Sequence, residues 1–229
     1  MQQGVRCPDE SKDMPEYGVI WDMDGVLIDT GDYHYRAWNA VLHDYGVTFP
    51  RHQFDATFGM NNPALIQLLL GRTPEPALLQ TISDRKETLF RQMIRADARP
   101  MPGVRTTLRS LDDAGYRQAI ASSAPPESID LLVDAMGLRR YFSALVSGVA
   151  MPGKPEPDVF LEAARQIGVP PANCLVIEDA AVGVTGAKRA GMKCIAVTTT
   201  LPAPKLAQAD IVVDSLTDLP EDAFQRLLT

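Results

Sequence analysis

The chain has 229 residues, of which 45% are hydrophobic and 22% are charged, and its formal net charge is −7. This length accommodates a full hydrophobic core and a smaller appended domain. No local run of Lys or Arg offsets the negative charge, and no segment has the ~18 consecutive apolar residues of a membrane-spanning helix, so we expect neither a nucleic-acid partner nor a membrane span.

Residues 1–16 are polar and lack the apolar stretch of a signal peptide, which predicts a flexible N-terminal segment and a cytoplasmic protein. The three cysteines, Cys7, Cys174 and Cys194, form no motif, and two of them lie in apolar runs. Buried free thiols in a reducing compartment fit this pattern best. No long apolar face is left unassigned, and we therefore expect a monomer.

The first strong signal is the stretch GVIWDMDGVLIDT at residues 18–30. Its apolar, β-branched start predicts a buried strand, and Asp22 and Asp24 follow that strand directly. Two carboxylates at the end of a buried strand repel each other and are costly to desolvate, so core packing gives no reason for them. A divalent cation or a shared proton would relieve the repulsion. The alternative is a strand that ends in a polar turn at Gly25.

Residues 30–98 are predicted to be helical and to form a small cap domain inserted after the first strand. Apolar side chains recur at helical spacing around Trp38, and residues 64–70 and 82–94 indicate further helices. No strand signal of comparable strength interrupts this segment. We expect the cap to set the choice of substrate.

Residues 17–29 and 99–229 are predicted to form the core domain. Apolar strand signals at 118–122, 144–147, 174–177, 193–197 and 211–213 alternate with helical patterns at 104–114, 126–136, 158–167 and 182–190. This alternation predicts an α/β fold with a doubly wound, Rossmann-like parallel sheet. In such sheets, ligands bind outside the carboxyl ends of the strands.

Polar residues follow several of these predicted strands at their carboxyl ends. Ser122 and Ser123 precede a helix start, where a hydroxyl and free N–H groups form a phosphate cradle, although helix capping is the alternative. Lys154 lies in a Gly-Lys-Pro frame at the same edge, where its ammonium would neutralise a phosphoryl oxygen; a solvated surface charge is the alternative. Glu178 and Asp179 offer the oxygen ligands that Mg²⁺ takes, and capping of the next helix by Asp179 is the alternative.

Four of these pieces together resemble the motifs of the haloacid dehalogenase (HAD) superfamily. The string DMDGVLIDT at residues 22–30 resembles its first motif, Ser122 matches the second, Lys154 the third, and the acidic pair 178–179 the fourth. The motifs occur in the family's order, and the similarity extends over most of residues 17–215. The chain is therefore identified as a member of this superfamily, with its α/β core and helical cap.

The resemblance implies a role for each motif residue. Mg²⁺ is held by the Asp22 carboxylate, the Asp24 main-chain carbonyl and Asp179, with Glu178 acting through water. Asp22 attacks phosphorus to form an aspartyl-phosphate, and Asp24 protonates the leaving oxygen and later activates the incoming nucleophile. Mg²⁺ and the lysine and serine of the third and second motifs stabilise charge on the phosphoryl oxygens.

The cap and the second aspartate narrow the branch of the superfamily. True dehalogenases and phosphonate-cleaving members lack a carboxylic acid at the position of Asp24, which indicates a phosphate ester as substrate. The segment at residues 29–38, with Thr30, His34 and Trp38, resembles the start of the cap in β-phosphoglucomutases and related sugar phosphatases. His34 would be a hinge residue that controls Asp24, with simple packing as the alternative. Lys86 falls where the mutase has a substrate-contacting lysine.

Two departures argue against a mutase. The mutase cap carries an arginine that binds the second phosphate of a bisphosphate, whereas this chain has Asn62, which offers hydrogen bonds but no charge. Pro126 replaces an amide-bearing residue at another phosphate contact. We therefore expect a Mg²⁺-dependent phosphatase of a small phosphorylated metabolite, above all a sugar phosphate. A β-phosphoglucomutase and a catalytically silent ligand-binding protein are the alternatives. The predicted substrate contacts are Thr30, His34, Trp38, Asn62, Lys86 and Ser123.

Overall fold

The structure, a computed structural model, describes residues 17–58 and 60–229; the flexible segment predicted at 1–16, including Cys7, lies outside the described residues. The strands are β1 (Gly18–Trp21), β2 (Arg117–Ser122), β3 (Ala144–Ser147), β4 (Cys174–Glu178), β5 (Lys193–Val197) and β6 (Ile211–Val213). The helices are α1 (Gly31–His43), α2 (Arg51–Thr57), α3 (Asn62–Leu70), α4 (Pro76–Ile94), α5 (Val104–Asp113), α6 (Pro126–Ala135), α7 (Asp158–Ile167), α8 (Ala181–Arg189) and α9 (Ala223–Leu228).

The six strands form one parallel sheet in the order β3-β2-β1-β4-β5-β6. Strands β2 and β3 lie on one side of β1, and β4, β5 and β6 lie on the other, so the strand order reverses at β1. Ligand-binding residues are expected at the carboxyl ends of the strands beside this reversal. Trp21 at the end of β1 pairs with Ile120 and Ile177, and this register carries Asp22 to the level of Glu178. The predicted doubly wound α/β fold is confirmed.

Helices cover both faces of the sheet, and the central strand β1 is therefore buried on both sides. Val19 and Trp21 belong to one hydrophobic cluster, which includes residues of α5 and α6, whereas Ile20 belongs to a second, which includes residues of α7 and α8. The indole N–H of Trp21, the polar group of this buried side chain, donates a hydrogen bond to Gln118 Oε1 at 3.1 Å. With both faces covered, polar side chains of the strand ends are directed to the rim of the sheet.

Helices α1 to α4, which we call the cap helices, share a hydrophobic cluster that includes Trp38, Phe49 and Ile82. Helix α2 was not predicted from the sequence. Helix α4 begins at Pro76 instead of residue 82, because a proline is well suited to the first turn of a helix. Phe90, near the end of α4, packs in the same cluster as Trp21. The domain limits at residues 29–30 and 98–99 stay a prediction.

Two further expectations concern the cysteines and membrane-spanning segments. Cys174 and Cys194 are free and buried, as predicted, and burial raises the pKa of the Cys174 thiol to about 12, which makes it unreactive at neutral pH. Among the residues that the structure describes, no helix is long and apolar enough to cross a membrane. The monomeric state and the cytoplasmic location stay predictions.

Candidate active site

Two adjoining cavities lie where the strand ends meet the cap helices. The first, which we call the carboxylate cavity, is lined by Asp22, Asp24, Phe58, Ser123, Lys154, Glu178, Asp179, Ala180 and Val182. The second, the cap cavity, has a volume of about 70 Å³ and is lined by Asp24, His34, Trp38, Phe54, Thr57, Phe58, Met60, Asn62, Leu65, Lys86, Glu87, Ser123 and Ala124. Asp24, Phe58 and Ser123 line both cavities and therefore mark the boundary between them.

Lys154 is held between two carboxylates. It lies in the loop between β3 and α7, and its Nζ is 2.5 Å from Asp22 Oδ1 and 2.5 Å from Glu178 Oε1. Only 5% of its side chain is exposed, so the alternative of a solvated surface charge is wrong. Burial disfavours the ammonium, but the two carboxylates outweigh burial and raise the pKa of Lys154 above its ordinary value. The lysine is therefore a fixed cation at the end of β1.

One lysine is not enough to balance the acids around it. Carboxylate oxygens of Asp22, Glu178 and Asp179 lie within 4.8 Å of one another, and Asp24 adds a fourth carboxylate to the same cavity. Burial, opposed by Lys154 and reinforced by Glu178 and Asp24, raises the pKa of Asp22 to about 8. Burial and the two neighbouring acids also raise the pKa of Asp179 well above its usual value. A hard divalent cation with oxygen ligands, such as Mg²⁺, fits this donor set and would relieve the repulsion.

Glu178 and Asp179 have different partners at the start of α8. Glu178 Oε2 accepts hydrogen bonds from the backbone N–H groups of Asp179 at 2.8 Å and Ala180 at 2.9 Å. Ala180 occupies the capping position of α8, and no side chain caps the helix, so the alternative that Asp179 caps it is wrong. The Asp179 carboxylate instead accepts a hydrogen bond from the Thr200 hydroxyl. Thr200 follows β5 at the same rim of the sheet.

Two glycines allow the backbone to approach these carboxylates closely. A Cβ atom at Gly183 in α8 would lie 1.8 Å from Glu178 Oε1, and one at Gly25 would lie 1.9 Å from Asp179 Oδ2. Gly25 also has φ of +81°, in the left-handed region where a side chain is strained. The polar turn that was the alternative for the DxDG stretch is present at Gly25, and the same turn borders the acid cluster. The turn and the cluster are therefore not competing interpretations.

Asp24 is hydrogen-bonded to two residues of the cap segment. Its Oδ1 accepts from the Thr30 hydroxyl at 2.6 Å and lies 3.2 Å from His34 Nε2. Burial would raise the pKa of Asp24, but these two contacts and the charge of Lys86 together lower it. Burial and Lys86 lower the pKa of His34, whose ring stacks on Phe90 at 3.9 Å. Asp24 is therefore ionised, beside a neutral histidine.

Each predicted substrate residue has a definite place. His34, Trp38, Asn62, Lys86 and Ser123 all line the cap cavity, whereas Thr30 is fully buried and reaches the site only through Asp24.

Ser122, which was predicted to be catalytic, has no contact with either cavity. Ser122 is fully buried and lines neither cavity; its Oγ accepts from the N–H of Ala124 at 3.1 Å. Helix α6 has Pro125 at its capping position and no side-chain cap, so Ser122 does not cap the helix but supports the turn before it.

Several residues in or beside the two cavities were not predicted from the sequence, among them Phe58, Glu87 and Thr200. Phe58 lines both cavities, and Glu87 lines the cap cavity beside Lys86. Thr200 contacts Asp179. Thr200 follows a strand closely, so the rule that ligands bind at the carboxyl ends of strands could have identified it. Glu87 and Phe58 lie on or beside helices, where neither spacing nor composition separates a cavity residue from an ordinary one.

Residues 18–191 match the haloacid dehalogenase-like hydrolase family. The chain is 30% identical over 212 residues to β-phosphoglucomutase of Bacillus subtilis, with 88% of this chain and 90% of that protein covered. It is 31% identical over 211 residues to hexitol phosphatase B of Escherichia coli, with 88% and 93% covered.

The fold likeness extends to a solved structure. A crystal structure of β-phosphoglucomutase from Clostridium difficile superposes with a TM-score of 0.83 at 24% identity and covers 92% of this chain and 96% of that one. At this identity the structure bears on the fold alone, which agrees with the parallel sheet and its helices. The family match and the two relatives bear on the branch. The chain belongs to the haloacid dehalogenase-like hydrolases, in the β-phosphoglucomutase-like branch of phosphoryl-transfer enzymes.

Proposed function

We propose that this protein is a Mg²⁺-dependent phosphatase that hydrolyses a small phosphorylated metabolite, above all a sugar phosphate. The observation that carries the proposal is the carboxylate cavity, in which Asp22, buried and paired with Lys154, lies beside Asp24 and a second pair of acids. One of the relatives is by name a hexitol phosphatase, which supports a polyol or sugar as the leaving group.

The residues for the metal are Asp22 and Asp179 by their carboxylates and Asp24 by its main-chain carbonyl, with Glu178 acting through water. When bound, Mg²⁺ supplies positive charge that lets these acids stay ionised together and offsets the charge of the phosphoryl group. Lys154 adds a fixed ammonium at the same place. Ser123 and the N–H groups that precede α6 provide hydrogen bonds for a phosphoryl oxygen.

The chemistry proceeds in two halves. In the first, the Asp22 oxygen forms a bond to phosphorus while the bond from phosphorus to the ester oxygen breaks, and Asp24 gives that oxygen a proton. In the second, Asp24 takes a proton from water, which attacks phosphorus and releases Asp22 and inorganic phosphate. The lowered pKa of Asp24 suits the second half, and the negative charge of a bound phosphate raises this pKa and so favours the protonated form that the first half needs.

A paired assay tests this proposal. β-Glucose 1-phosphate is incubated with Mg²⁺, with and without a trace of glucose 1,6-bisphosphate, and inorganic phosphate and glucose 6-phosphate are both followed. We expect phosphate release without isomerisation, and a panel of hexose and hexitol phosphates then ranks the substrates. Faster formation of glucose 6-phosphate, stimulated by the bisphosphate, would make the protein a mutase.

A β-phosphoglucomutase is the second candidate, favoured by the relative of that name and by the presence of His34 and Lys86 in the cap cavity. A catalytically silent ligand-binding protein is the third, because a fold alone does not guarantee activity. Its signature is the absence of phosphate release from every monoester in the panel, together with a rise in melting temperature when a sugar phosphate is added.

Gly183→Ala is expected to lower kcat/KM at least about tenfold, which corresponds to roughly 1.4 kcal/mol. The new methyl group would occupy the space of the Glu178 carboxylate and displace it from Lys154, although alanine is favoured over glycine inside a helix by about 1 kcal/mol. The measurement is kcat/KM together with the melting temperature.

Gly31→Ala is the matched control for this variant. Gly31 is the first residue of α1, and the nearest atom to its added Cβ is Asp29 Oδ1 at 3.6 Å, which is ordinary contact. The control is expected to retain wild-type activity. Wild-type kcat/KM in Gly183→Ala would mean that the position of Glu178 has no bearing on turnover.

A further inference from the structure

A buried ion pair lines the cap cavity and plays no part in the two halves of the reaction. Lys86 Nζ donates to Glu87 Oε1 at 2.6 Å, and only 3% and 6% of the two side chains are exposed. The Lys86 ammonium also lies 5.3 Å from the ring centres of Trp38 and Phe90, which favours a cation at this place. Both charges of the pair line the cap cavity and neither lines the carboxylate cavity.

Glu87 is fixed from several sides. Its Oε1 also accepts from Asn62 Nδ2 at 3.0 Å, and its Oε2 accepts from the Ser128 hydroxyl of α6 at 3.2 Å. Partners on α3 and α6 therefore hold the Glu87 carboxylate beside the Lys86 ammonium. Burial would raise the pKa of Glu87, but the charge of Lys86 and the hydrogen bonds from Lys86 and Asn62 lower it, so the carboxylate is ionised. Arg91 contacts Ser128 at 3.3 Å but is not among the residues that line the cap cavity.

The position of Asp24 shows which part of a substrate would meet this pair. Asp24 lines both cavities, and in the proposed function it protonates the ester oxygen. The phosphoryl group then lies in the carboxylate cavity with Asp22 and Lys154, and the leaving alcohol extends into the cap cavity. Apart from Asp24 itself, the only charges lining the cap cavity in the described part of the chain are Lys86 and Glu87, because His34 is neutral. In the first half of the reaction Asp24 is protonated, and the leaving alcohol therefore meets a net charge of zero.

We propose, on the basis of the proposed function, that Glu87 determines specificity: it cancels the charge of Lys86 and thereby selects phosphate monoesters whose leaving group is uncharged and hydroxylated. An uncharged polyol or sugar accepts hydrogen bonds from the remaining N–H groups of Lys86, and its hydroxyls donate hydrogen bonds to the Glu87 carboxylate. A second phosphate meets a carboxylate and no uncompensated cation, which disfavours it. Asn62 has its amide N–H engaged by Glu87 and adds no charge. The same pair therefore also disfavours the bisphosphate that a mutase must hold.

The experiment compares matched pairs of substrates with Mg²⁺: fructose 1-phosphate against fructose 1,6-bisphosphate, and glucose 6-phosphate against glucose 1,6-bisphosphate. For the wild-type protein we expect kcat/KM to be at least tenfold higher for the monophosphate of a pair. For Glu87→Gln we expect this ratio to fall at least tenfold, because Lys86 is then free to pair with the second phosphate. Asp84→Asn, which removes an exposed carboxylate from the same helix, is the control and should keep the wild-type ratio.

A double variant guards against a folding defect. Glu87→Gln leaves a buried lysine unpaired, which is destabilising, whereas Lys86→Gln/Glu87→Gln removes both charges and is better tolerated. The double variant should return to the wild-type preference for monophosphates. A wild-type preference for bisphosphates, or an unchanged ratio in Glu87→Gln, overturns the assignment of Glu87. Absence of hydrolysis of any monophosphate by the wild-type protein instead refutes the proposed function.

Discussion

Asp22→Asn is expected to reduce phosphate release by about 10³-fold or more while the fold stays intact. The amide nitrogen cannot form the aspartyl-phosphate, and loss of a nucleophile removes most of the rate enhancement of an enzyme that depends on one. The fold should survive because asparagine has the shape of aspartate and Lys154 keeps its contact with Glu178.

The measurement is single-turnover and steady-state phosphate release, together with the melting temperature. Asp113→Asn, an exposed residue at the end of α5, is the control and should behave like the wild-type protein. Residual release within about tenfold of the wild-type rate would remove Asp22 from the role of nucleophile. A large drop in melting temperature would mean that lost structure, and not lost chemistry, explains the inactivity.

Asp179→Asn is expected to raise the Mg²⁺ concentration for half-maximal activity by about tenfold or more, a loss of roughly 1.4 kcal/mol of metal binding. The substitution removes one carboxylate from the trio with Asp22 and Glu178, and a neutral amide oxygen is a weaker ligand for a hard cation. The Thr200 hydroxyl still has an oxygen to which it can donate. The local structure should therefore persist.

Thermal stability gives a readout of the metal that does not depend on turnover. Mg²⁺ at about 100 times its dissociation constant stabilises a protein by roughly 2.7 kcal/mol, so the wild-type melting temperature should rise on addition of Mg²⁺. The rise should be much smaller in Asp179→Asn and unchanged in the Asp113→Asn control. Identical Mg²⁺ titrations of the variant and the wild-type protein would take Asp179 out of the metal site.

The two expected effects concern residues that were recognisable in the sequence for a physical reason. Asp22 and Asp179 each follow an apolar strand directly, and a carboxylate in that place is costly without a charged partner. The strand signals were equally local, and after residue 101 each predicted element agrees with the structure to within one residue at either end. A hydrophobic period of two or of about 3.6 is a property of neighbouring residues and needs no knowledge of the fold.

Other features depended on contacts between distant parts of the chain. Lys154 is 132 residues away from Asp22, and only the fold turns a lone lysine in a loop into their 2.5 Å ion pair. Helix α2 was not predicted because its seven residues are too few to show a clear hydrophobic period. Glu87 follows Lys86 on a helix, and nothing in that order distinguishes a solvated acid from one that accepts hydrogen bonds from Asn62 and Ser128.

Local pattern and strand-end chemistry thus sufficed for the α/β class, for most of the elements and for the acids of the carboxylate cavity. Packing decided the partners of these side chains: Glu178 accepts hydrogen bonds from the backbone at the start of α8, and Asp179 accepts one from the Thr200 hydroxyl. Packing also left Ser122 fully buried and outside both cavities. The charge balance of the cap cavity was decided in the same way. Hydrophobic periodicity is encoded over a few residues, whereas a hydrogen bond or ion pair across elements exists only once the sheet and the cap helices are in place.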